Sequence, residues 1–145
     1  MNEPIKRVAV ELKTTIQDAA DKEMNAVKAN GVFIQSAGRD VLSYKEKVDD
    51  MDITTMITIQ QEKVSIKRSG AVSMHQQFRL GQLTENVYKH PHGNIHMETF
   101  TNTIVYEQLQ PSKSARLRLK YTVKLNGQDE RNHMLELFIK EEDSE

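Results

Sequence analysis

Residues 64–80 read V-S-I-K-R-S-G-A-V-S-M-H-Q-Q-F-R-L, and apolar side chains recur through this stretch with a period of two. Val64, Ile66, Val72, Met74, Phe78 and Leu80 share one parity. A strand sends alternate side chains to opposite faces, so these positions describe a pair of β-strands with one face on a core. Arg68 and Gln76 have the same parity. A guanidinium and an amide aimed at a β-core are either satisfied by structural partners or await a ligand. Ser69-Gly70 interrupts the alternation only locally; glycine's freedom in φ suits a corner between the two strands.

The same period extends in both directions. Val8, Val10, Leu12, Thr14 and Ile16 predict a first strand, followed by a turn over 18–22 and a second strand over 24–34 in which Asn30-Gly31 predicts a bulge or bend. Residues 37–40 read as a hairpin turn into a strand over 41–48, where Leu42, Tyr44, Glu46 and Val48 share a face. After a loop at 49–52, Ile53, Thr55, Ile57 and Ile59 form the next strand. Beyond Leu80, strands are predicted over 84–89 and 95–105, separated by His90-Pro91-His92-Gly93-Asn94. A polar loop over 108–114 precedes Leu117, Leu119, Tyr121, Val123 and Leu125, the cleanest alternation in the chain. Asn126-Gly127 signals a hairpin into a last strand over 133–140, and residues 141–145 read as an acidic tail. Nine or ten strands in sequential hairpins, with one apolar and one charged face, predict an all-β, antiparallel up-and-down barrel, since closure removes unpaired edges. A sandwich is the alternative closure.

Composition bounds the function. A chain of 145 residues is expected to form one domain, 1–145. Twenty basic and twenty-one acidic residues give no electrostatic case for a nucleic-acid or anionic-membrane partner. The absence of cysteine excludes disulfides, thiolate metal sites and cysteine nucleophiles. The start M-N-E-P-I-K-R-V-A-V lacks an apolar signal segment, and no apolar run is long enough to span a bilayer, so a cytoplasmic location is expected.

Arg68-Ser-Gly-Ala-Val72, followed by Met74, Gln76, Phe78, Gly81, Thr84 and Tyr88, resembles the signature of the YwiB-like family, as do Leu42-Ser43-Tyr44 with Glu46 and Gly93 after the histidine turn. The likeness covers nearly the whole chain and departs from the family pattern around 18–22 and 108–114. It implies a calycin-like (lipocalin-like) β-barrel of roughly eight to ten strands in small bacterial proteins without an established function. It transfers no catalytic residue.

The candidate site follows from the inward polar residues. Glu46 and Arg68 have opposite charges and are predicted to pair inside or at the mouth of the barrel, with Tyr44 and Gln76 completing hydrogen bonds. This set serves either as a structural plug or as the polar wall of a site whose apolar part lies among Met74, Phe78 and Met97; a barrel of this size can be filled or hold one small ligand. His90, His92 and His96 have the look of a metal cluster, but Pro91 and Gly93 place the first two in a turn and no further ligands stand near, so no metal is assigned. Ser69-Gly70 lacks the context of a nucleophile elbow. Arg116, Arg118, Lys120 and Lys124 make a basic stripe expected to pair with acids such as Glu136 on the adjacent strand. The leading expectation is a non-enzymatic barrel, without cofactor, that binds a small, partly apolar molecule through Tyr44, Glu46, Arg68, Met74, Gln76 and Phe78. The alternative is a structural or protein-interaction module, including a homodimer formed through a strand edge or outer face.

Overall fold

A computed structural model describes residues 5–18, 21–108 and 114–142; the inner parts of the predicted turn at 18–22 and loop at 108–114, and the end of the acidic tail, lie outside them. Ten strands follow one another: β1 (Ile5–Gln17), β2 (Lys22–Ser36), β3 (Arg39–Val48), β4 (Met51–Ile59), β5 (Lys63–Gly70), β6 (Met74–Arg79), β7 (Leu83–His90), β8 (Gly93–Glu107), β9 (Ser114–Leu125) and β10 (Arg131–Glu141). They form one antiparallel sheet in the order β6-β5-β4-β3-β2-β1-β10-β9-β8-β7, so the first strand pairs with the last and the sheet curls into a nearly closed barrel. The seam lies in mid-chain. Among the described residues the positions flanking β6 meet β7 and β8 through isolated bridges, Ser73 with Lys89 and Leu80 with Thr101, rather than through a ladder.

Turn chemistry sets several of the hairpins. Asn126 and Gly127 both have positive φ, as the Asn-Gly signal requires, and the Asn126 side chain also accepts from the His96 backbone N–H at 2.9 Å. The loop expected at 49–52 contracts to Asp49-Asp50, both left-handed. No bulge occurs at Gly31, whose pairing with Val8 continues the β1–β2 register. Its glycine has another cause: a Cβ there would stand 2.5 Å from the Ser43 carbonyl oxygen, where β2 and β3 approach closely. The bulge instead falls in β8, between Thr101 and Thr103, and reverses its parity. Thr99 and Thr101 face inward before it, Ile104 and Tyr106 after it.

The waist of the barrel is filled. Phe33, Leu42, Ile57, Val64, Phe78 and Leu117 are fully buried, and Phe78 packs edge-on to Tyr121 with ring centroids 4.7 Å apart. Toward the end that carries the β3–β4 and β5–β6 turns the packing loosens. The β2–β3 ladder covers only Gly31 to Ser36 against Tyr44 to Arg39, whereas β2 stays on β1 back to Lys22. Beyond Gly31 the two strands part company, and Leu12, Ala29, Tyr88, Met97 and Leu125 around that opening are only partly buried.

Candidate functional site

Strand register assembles the polar wall. Gly31, Tyr44, Thr55, Arg68 and Met74 stand opposite one another in succession from β2 to β6, which puts them in one row across the sheet. Glu46 comes from the next inward position of β3, beyond the end of the β2–β3 ladder. Arg68 Nη2 donates to Glu46 Oε1 at 2.9 Å, and Thr55 Oγ1 donates to the same oxygen at 3.0 Å. The predicted pair therefore forms, but on one carboxylate oxygen only; Oε2 receives no hydrogen bond from the described residues. The Glu46 and Arg68 side chains keep 12% and 24% exposure, so water reaches the pair.

Tyr44 departs from expectation. Its hydroxyl is buried with no partner in hydrogen-bonding geometry, although the neighbouring Thr55 hydroxyl, which donates to Glu46, keeps lone pairs on that side. Burial raises its pKa to about 12, helped by the Glu46 charge and opposed by Arg68 and Thr55. A phenol held neutral beside a half-used carboxylate, a threonine hydroxyl and a guanidinium is a donor whose hydrogen bond is not made in this geometry.

Of the other residues named from sequence, Met74 lies in the row, while Gln76 and Phe78 do not serve this end. Gln76 Nε2 donates across the seam to Thr99 Oγ1 at 2.9 Å and takes no part in the Glu46 network. Phe78 belongs to the filled waist. His90 and His92 stack in or beside the β7–β8 turn with ring centroids 5.2 Å apart, and His96 reaches Glu85 at 3.5 Å; among the described residues no acidic or histidine group gathers as a metal site. Half of the basic stripe pairs as expected, with Arg116 and Arg118 at 3.6 and 3.4 Å from Glu136.

Sequence reasoning missed a second inward polar pair. At the opposite end of β3 the Tyr106 hydroxyl donates to Asp40 Oδ2 at 2.6 Å across the barrel, and burial followed by the Asp40 carboxylate pushes the Tyr106 pKa upward. Asp40 is 3% exposed and forms part of a cleft of about 770 Å³ with Ile59, Gln60, Ile104 and Tyr106. Its even parity, shared with Leu42 and Tyr44, was the available signal.

A ten-stranded, nearly closed antiparallel barrel with a part-buried Glu46–Arg68 pair toward one end is the class that fold and site define. The chain matches the model of a domain of unknown function (DUF1934) over residues 10–137, and it belongs to that family. It is similar to the uncharacterized beta-barrel protein YwiB of Bacillus subtilis (strain 168), with 27% identity over 126 residues and 87% of each chain covered. The crystal structure of the ywiB protein from Bacillus subtilis superposes with a TM-score of 0.85 at 23% identity, covering 96% of this chain and 94% of that one.

Proposed function

We propose that this protein is a non-catalytic, calycin-like binding barrel that takes up a small, partly apolar molecule at its open end. The observation that carries the reading is the buried Tyr44 hydroxyl that makes no hydrogen bond, set beside a Glu46 carboxylate that uses one oxygen of two. A purely structural plug gains by satisfying every buried polar group, so leftover capacity on adjoining side chains is a reason to look for a ligand. The complementary head group accepts from Tyr44 or Arg68 and donates to Glu46; the edge of a carboxamide has that pattern. Its apolar part rests on Met74, Met97 and Leu125, which border the opening.

Native mass spectrometry of the protein purified from its own host tests the proposal. A retained organic mass of a few hundred daltons, lost in Tyr44→Phe while the fold persists, is the expected result. Protein that carries no such mass, and whose Tyr44 and Met97 resonances are unmoved by a panel of amphiphilic amides and acids, would overturn it.

A further inference from the structure

The end of the β2–β3 ladder has a second consequence. Along residues 22–30, β2 is paired on its β1 side alone, and among the described residues nothing pairs with its other side. Every second residue there turns its N–H and C=O outward, a row of donors and acceptors at strand spacing that another extended strand complements. The segment holds no proline, and its β1 register runs without a bulge, so of the common devices that blunt a strand edge it carries only charge, at Lys22, Glu23 and Lys28.

We infer that residues 22–30 form the interface of a homodimer, paired antiparallel with the same residues of a second copy about a two-fold axis through Ala26. Symmetry limits the register. An axis normal to the sheet keeps outer faces on one side, so directly opposed residues must have the same parity. Centring on Ala26 is the one such register that uses all of 22–30. It sets Lys22 against Asn30, Glu23 against Ala29, Met24 against Lys28 and Asn25 against Val27, with no like charges opposed. Centring on Asn25 would set Lys22 against Lys28. On the outer face Met24, 68% exposed, comes to lie beside Ala26 of the partner subunit, and Lys28 already stands opposite Glu11 in the β1 ladder. The edge also borders the gap beside Glu46, so a second copy extends the sheet along one side of the open end.

The native chain has no cysteine, which makes single-cysteine variants direct reporters of register. Directly opposed Cβ atoms in an antiparallel pair are about 4.5–5.5 Å apart, close to what a disulfide needs. Ala26→Cys is expected to cross-link to itself under mild oxidation. Met24→Cys or Lys28→Cys alone should not, whereas an equimolar mixture of those two should. Sedimentation velocity of the unmodified protein should show a species of about twice the 16.7 kDa chain mass. Ala26→Glu and Ala26→Lys, which bring like charges together on the axis, should each weaken the dimer at least about tenfold, and mixing them should restore pairing. A monomer at near-millimolar concentration overturns the inference. So does a dimer indifferent to both charge variants, or cross-linking that peaks away from Ala26. Circular dichroism of each variant separates lost pairing from lost folding.

Discussion

Asp40 and Glu46 lie on the same face of the same strand, yet the barrel treats the two carboxylates differently. Asp40 sits where β3 is paired on both sides, opposite Gln35 and Ile59, and is met by a neutral phenol from across the barrel. Glu46 sits past the end of the β2–β3 ladder, where water enters, and is met by a guanidinium. Desolvating a full ion pair is costly, so the more deeply buried carboxylate, although it borders a cleft, is held by a neutral donor, while a partly wetted rim tolerates opposite charges. One end is braced. The other retains unspent hydrogen-bonding groups, and that is where a ligand is proposed.

The largest test removes what separates the two ends. Phe78→Ala empties part of the filled waist and should cost about 3–5 kcal/mol in urea unfolding, by lost burial and by the cavity left beside Tyr121. A cost below about 1 kcal/mol would mean that the waist collapses easily and that the ends are not independent. Next comes Arg68→Met, which strands Glu46 near the barrel interior. Breaking a buried pair costs about 3–5 kcal/mol, and the remaining exposure of both side chains should reduce this to about 2–3 kcal/mol. The double variant with Glu46→Gln should recover most of that loss. If it does not, the pair acts through packing rather than charge.

His133 extends the contrast to pH. It lies near Tyr121, with ring centroids 5.1 Å apart, and burial, aided by the Arg131 charge, lowers its pKa to about 4. Above pH 6.5 the ring is neutral folded and unfolded, and its environment costs nothing. Between pH 6.5 and 4 the unfolded chain takes up the proton first, so stability falls as pH falls, by about 2 kcal/mol once the ring's partial contact with water is allowed for. His133→Gln should flatten that slope in denaturation measured across the window. At the braced end, Tyr106→Phe leaves Asp40 buried without its donor and should cost about 1–2 kcal/mol; an unchanged midpoint would show that water replaces the phenol.

Period-two alternation made the architecture legible, because a strand with one buried face writes its orientation into every second residue. The faces of β5 and β6 through Phe78, the Glu46–Arg68 pair and the Arg116–Arg118–Glu136 contacts all follow from parity together with strand adjacency. What remained hidden depends on where ladders stop. Gln76 has the inward parity expected of it, but it stands beside the seam and reaches Thr99 rather than Glu46. Leu80 has the same parity and is nevertheless 42% exposed, since the chain leaves β6 there for a lone bridge to Thr101. Tyr106 changes face because of a bulge near Asn102 that no glycine or proline announces. Asp40 reads as part of a four-residue turn; the chain needs only Ala37-Gly38 to reverse, which frees Asp40 to join the strand.

The smallest expected change in stability carries the most information. In Tyr44→Phe the ring stays and only the hydroxyl goes. At a satisfied site that deletion costs about 1 kcal/mol of hydrogen bonding. Tyr44 is not such a site: its hydroxyl is buried without a hydrogen bond, so removing it relieves a desolvation cost, and the ligand-free protein should be unchanged or up to about 1 kcal/mol more stable. Ligand retention should fall in the same variant, because the donor it loses is the one the barrel leaves unspent. A variant that gains stability and loses ligand would mark Tyr44 as a group kept unsatisfied for binding. Loss of stability instead would show that water or a neighbouring side chain already completes the hydroxyl, and the two ends of β3 would then differ only in how far water penetrates.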